Sequence, residues 1–147
     1  GSKVLPANYF TAGKTVRVTA LGRYSTAGAA PNITLDFDLV SSTPTTVTVA
    51  TTGAVAAPGA GITNESIECT LLLTCRTTGA AGTVQSQGMC ILGKAPGTSP
   101  IGYEMVETGT RTINTTLTEE VKFSMTWATA NASNTITATN VAIEALN

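Results

Sequence analysis

Between residues 65 and 92 the chain reads ESIECTLLLTCRTTGAAGTVQSQGMCIL. Cys69, Leu71, Leu73 and Cys75 alternate with Glu68, Thr70, Thr74 and Arg76. A side-chain period of two belongs to a β-strand with one face buried and the other wet. The pattern predicts two long strands, roughly 65–77 and 82–92, joined by a Gly/Ala turn. Leu72 is the exception on the polar face, and Met89 and Ile91 are its counterparts in the second strand.

The same period recurs along the chain, punctuated by Gly, Pro, Asn and Ser rather than by helix-spaced apolar residues. Val16, Val18, Ala20 and Tyr24 alternate with Arg17, Thr19, Leu21 and Arg23; Ile33, Leu35, Phe37 and Leu39 alternate with Thr34, Asp36 and Asp38. Val47 and Val49 lie in a Thr-rich run, and Val121, Phe123, Met125 and Trp127 face away from Lys122, Ser124 and Thr126. In 134–146 the apolar parity slips between Ala138 and Val141, which predicts a β-bulge near Thr139-Asn140. About eight strands at this spacing predict an all-β antiparallel β-sandwich, jelly-roll-like, in a single domain over residues 1–147. Two stretches, 52–63 and 93–100, read as flexible Gly/Ala/Pro loops, and no internal repeat is present.

Composition narrows the surroundings of such a fold. Thr is the commonest residue, which suits pleated surfaces. Charged residues make up 12% of the chain, about half the usual share. The surface must therefore consist largely of Thr, Ser, Asn, Ala and some apolar side chains, as suits a protein that lives in an assembly. No apolar run approaches the roughly 18 residues of a membrane span. The net charge is −1 and the Lys and Arg are scattered; nucleic-acid binding, which needs clustered positive charge, is not expected. The chain opens on Gly1-Ser2 without Met, a start that points to truncation, processing or a cloning scar.

The cysteines do not form a disulfide framework by spacing. Cys69 and Cys75 are six residues apart on one strand, about 20 Å at roughly 3.3 Å per residue. A bridge needs Cα atoms within about 7 Å. Cys90 can reach either across the hairpin, and the reading adopted is three reduced thiols serving as small core residues. With no His and no Cys-x-x-Cys, metal ligation by these residues is not expected.

The catalytic inventory is thin. Without His, a Ser-His-Asp or Cys-His site is impossible within the chain. Asp36 and Asp38 are the best carboxylate pair: on one strand face, about 7 Å apart, they could hold Ca²⁺ or flank a glycosidic bond. The simpler reading is a solvated face opposite Arg17 and Arg23. Glu119-Glu120 reads as a turn, and Gly79, Gly82 and Gly88 as turn residues, since no Lys or helix follows to make a phosphate loop. Trp127 shares parity with Phe123 and Met125 and reads as core, whereas Tyr103, after a loop, is the freest aromatic and a possible ligand contact. Four N-x-S/T sequons begin at Asn32, Asn64, Asn114 and Asn131; in a Thr-rich chain several arise by chance. An enzyme and a cofactor are not expected. Leu21, Leu72, Met89 and Ile91, with Val40, place apolar side chains on nominally outward faces. That predicts a homo-oligomer whose second subunit covers a sheet.

Three blocks resemble a known family: LPANYFTAGKTVRVTALGRYST (5–26), LLLTCRTTGAAGTVQSQG (71–88) and TINTTLTEEVKFSMTWATANASNTITATNVAIEAL (112–146). In series they are similar to a widespread family of tailed-bacteriophage virion proteins. That family shares the L-P-A-N-x-x-x-A-G-K-T opening, the T-C-R-T-T-G-x-x-G-T-V hairpin and a W-x-x-A-x-A-S-N-T-I-T stretch, here Trp127 to Thr137. The resemblance implies a β-sandwich or jelly-roll module on the outside of a virion, trimeric, with no catalytic residues to carry over. Family members have a longer region ahead of the L-P-A-N block, where this sequence has Gly1–Val4. The resulting expectation is a non-enzymatic virion structural protein, a capsid decoration, cement or head-fibre protein. Its partners would be itself, as a homotrimer, and other virion proteins such as the major capsid protein. The alternative is a tail-fibre or spike head that recognises host glycans or a host-surface receptor.

Overall fold

A computed structural model describes residues 2–107 and 109–147; Gly1, the first residue of the Gly1-Ser2 start, lies outside the described residues. Among the described residues eleven strands follow one another: β1 (Ser2–Leu5), β2 (Thr15–Ser25), β3 (Asn32–Ser41), β4 (Thr46–Thr51), β5 (Val55–Ala56), β6 (Glu65–Thr77), β7 (Gly82–Leu92), β8 (Ile101–Val106), β9 (Arg111–Ile113), β10 (Glu119–Trp127) and β11 (Thr135–Ala145). Eight are long; β1, β5 and β9 are short pieces of two to four residues. The protein is an all-β antiparallel β-sandwich. One sheet runs β1-β10-β3-β4 with β5 on β3, the other β11-β2-β6-β7-β8 with β9 on β7.

Both sheets form because each long strand carries one continuous apolar face. Val16, Val18, Ala20 and Tyr24 of β2, Cys69, Leu71, Leu73 and Cys75 of β6, and Val84, Cys90 and Leu92 of β7 are buried from one side. Ile33, Leu35, Phe37 and Leu39 of β3 and Val121 and Phe123 of β10 close on them from the other. Phe37 and Phe123 are register partners with ring centroids 5.2 Å apart. Met125 and Trp127 continue the β10 face, half-buried against this core. Hydrogen bonds also join the layers: Ser86 Oγ of β7 donates to the Val49 carbonyl of β4. The parity slip in β11 is a register shift between Ala138 and Asn140, where the sequence places the bulge.

Four expectations are corrected. β2 pairs with β11 and β6, not with β3, so Arg17 and Arg23 lie in the sheet opposite Asp36 and Asp38. Glu119 and Glu120 open β10 instead of forming a turn. The 52–63 stretch is pinned rather than free: β5 pairs with β3, and buried Thr26 exchanges bonds with Ile62 and donates from Oγ1 to the Gly59 carbonyl at 3.0 Å. Finally, Cys69 and Cys90 are disulfide-bonded across β6 and β7, with Cα atoms 4.0 Å apart. Cys75 is the one free cysteine, and it is buried. Spacing left Cys90 two possible partners; the register decides, setting Cys69 against Cys90 and Cys75 against Val84.

Candidate functional site

The outer face of the β11-β2-β6-β7-β8 sheet is built by the strand residues that the core does not use. Register aligns Leu21 of β2 with Glu68 of β6 and Ile91 of β7, and Thr70 of β6 with Met89 of β7. Leu72 lies two residues along β6 from Thr70, diagonal to Met89. Leu21, Leu72, Met89 and Ile91 are 37–51% exposed. They lie on the outer side of a sheet whose inner side is already filled by the core. Met89 lies towards Gly102 of β8: a Cβ built on that glycine would meet the Met89 sulfur at 3.6 Å. A shallow depression of about 310 Å³ opens between Thr70, Leu72, Gln87 and Met89. Polar and charged groups border the patch. Arg17 pairs with Glu144 at 3.3 Å, Arg23 donates to the Asn64 carbonyl, and Glu104 sits beside Met89 in register.

Asp36 and Asp38 lie on the outer face of the other sheet. Asp38 accepts a 2.8 Å bond from Thr48 Oγ1 and has Lys122 as register partner on β10. Asp36 is opposite Ser124 and Thr51. Among the described residues no group of three His, Cys, Asp or Glu could hold a metal ion. Tyr103 is not the free aromatic expected. It lies within β8, half-buried against the core, and its hydroxyl donates to the Ala56 carbonyl at 2.6 Å. That bond links the two sheets, and burial raises its phenol above the ordinary value.

Sequence reasoning missed two features. The first is Thr115, which is buried. Its Oγ1 accepts the Gly79 N–H at 2.8 Å, its N–H donates to the Gly79 carbonyl at 3.1 Å, and its own carbonyl accepts the Asn8 N–H at 3.0 Å. Gly79 has φ +110°, which favours glycine, and a Cβ on Gly82 would meet Thr115 Cγ2 and the Thr77 carbonyl at 2.8 Å. One threonine thus joins all three sequence blocks, 5–26, 71–88 and 112–146. The second is Glu119, 3% exposed. It lines a cavity of about 300 Å³ with Ser41, Thr43, Thr45, Thr112 and Asn114 among its walls. Burial pushes its carboxyl up to about 7. Its sequence neighbour Glu120 gave no hint, because only the strand parity separates a buried glutamate from a half-exposed one.

Comparison with models of protein families, with curated proteins and with solved structures finds no match.

Proposed function

We propose that this chain is a non-enzymatic structural protein of a tailed-phage virion, a homotrimeric capsid decoration, cement or head-fibre protein on the particle surface. The observation that carries the oligomeric part is the apolar patch of Leu21, Leu72, Met89 and Ile91 on the outer side of a sheet whose inner side is already filled. Apolar side chains gathered on one outer face, with Glu68 between Leu21 and Ile91, suit a subunit interface of mixed character. The virion part rests on the resemblance of the three blocks, and their convergence on Thr115 gives a physical reason for them to occur together. The thin acid–base inventory supports a structural role: the chain has no His, and Asp38 is engaged by Thr48. The receptor-binding alternative looked to exposed aromatic and polar residues on loops, near Tyr103 or in 52–63; the Tyr103 hydroxyl is committed to Ala56 and the 52–63 stretch is pinned by β5 and Thr26, so no second reading is developed.

Purified particles of the phage that encodes the chain should contain it by mass spectrometry, and antibody against it should label their outside. Particles that lack the chain, or that carry it only inside, contradict the proposal.

A further inference from the structure

The cavity of about 300 Å³ at one end of the sandwich lies between the start of β10, the β3–β4 turn, β9 and the Gly79–Gly82 turn. Its walls carry the hydroxyls of Ser41, Thr43, Thr45 and Thr112 and the amide of Asn114. Ser41 and Thr43 share a 3.0 Å bond, and the Thr45 N–H donates to Ser41 Oγ at 3.3 Å. Glu119 enters from β10, where it is paired in register with Ser41 and Leu5. It is buried, and what little remains exposed opens onto the cavity it lines. No ion pair reaches it among the described residues, and burial alone accounts for the raised value of its carboxyl. A carboxyl with so little exposure and no counter-charge among the described residues is stabilised in its charged form by a cation that enters the open cavity it lines.

We infer that this cavity is a binding site for a primary ammonium group, with Glu119 as the counter-charge and the hydroxyl oxygens of Ser41, Thr43, Thr45 and Thr112 as the remaining acceptors, the Asn114 Oδ1 being taken by Thr116. An alkylammonium has three N–H donors and no acceptor. The site matches that inventory: one carboxylate, several neutral oxygens and apolar walls from Val47, Ala80 and Ile113 for the alkyl stem. A divalent cation is matched less well, since Ca²⁺ takes six to eight oxygens and usually several carboxylates, whereas the cavity holds one carboxylate. An anion has no positive group to meet there. Among the described residues no second charge lines the cavity with Glu119: β3, the β3–β4 turn, β4 and the Gly79–Gly82 turn contribute Ser, Thr, Val and Ala. Leu5 is its neighbour on β1. Arg111 of β9 is turned to Glu107. Ammonium entry favours the ionised carboxylate, so binding must strengthen with rising pH.

The test is an amide chemical-shift titration of the whole chain with n-butylammonium chloride, against sodium chloride at equal ionic strength, at about pH 8 and about pH 5.5. Saturable shifts are expected at Ser41, Thr43 and Asn114. Affinity should fall about thirtyfold at the lower pH, following the loss of ionised Glu119. Glu119→Gln, isosteric and neutral, should keep its spectral dispersion and lose the saturable shifts. Tetramethylammonium, which has no N–H donor, should bind more weakly. Tighter binding of Nα-acetyl-lysine methylamide than of n-butylammonium would assign the ammonium to a protein lysine; the reverse order would assign it to a free amine. Shifts that persist in Glu119→Gln, affinity independent of pH in the wild type, or no saturable shift at any attainable concentration each overturn the inference. The wild-type pH comparison decides the matter even if the variant does not fold.

Discussion

Thr115 joins three distant segments of the chain through one residue. Its hydroxyl and backbone hold the Gly79 turn, and its carbonyl holds Asn8. Thr115→Val keeps the shape but leaves the Gly79 N–H without its acceptor. The expected cost is about 1 kcal/mol, the net worth of one hydrogen bond at a half-buried turn, read as a lower urea midpoint with an unchanged slope. Glu119 makes the opposite kind of prediction. Its folded-state value of about 7 lies above the ordinary 4.5. The folded chain therefore holds the proton more tightly than the unfolded one. The stability this contributes is fully present below about pH 4.5 and is lost as pH rises through about 7, by no more than about 3 kcal/mol. Glu119→Gln should remove that slope and be the more stable protein at about pH 8, as chemical denaturation across pH would read.

At the scale of elements, the β6–β7 hairpin is the strongest local unit, and its disulfide is the feature most at odds with the sequence reading. Bridging Cys69 and Cys90 closes a loop across a separation of 21 residues, for which chain entropy gives about 3 kcal/mol. Alkylation of the denatured chain should label one cysteine before reduction and three after it. The Cys69→Ser/Cys90→Ser variant should lose roughly that stability. Strand positions and faces were legible because period-two alternation is a direct record of burial: β6, β7, β10 and the β11 bulge all follow from it. Pairing was not legible. Nothing in β2 says that its neighbour is β6 rather than β3, since partner choice depends on contacts between distant segments. The same gap hid the cysteine bond, which depends on register, and the pinning of 52–63, which depends on Thr26 reaching Ile62 and Gly59. Composition made that loop look flexible; a buried hydroxyl from another strand holds it.

At the scale of the molecule, the sandwich has two outer faces of different character. The β3–β10 side presents Asp36, Asp38, Lys122 and Thr126. The β6–β7 side presents Leu21, Leu72, Met89 and Ile91. The second face was legible from sequence as parity violations, because an apolar residue among outward Thr and Glu has no role within a two-layer fold. The Glu119 cavity was not legible, because it is assembled from four segments that only the fold brings together. If the apolar face is an interface, polar substitution there should separate subunits without unfolding them, since these side chains lie outside the core. The most direct measurement is sedimentation equilibrium of the wild type beside the Leu72→Lys/Met89→Lys variant, with thermal unfolding of both. The account predicts a trimeric wild type and a folded, monomeric variant. A wild type that stays monomeric at high concentration, or a variant whose assembly is unchanged, would contradict it.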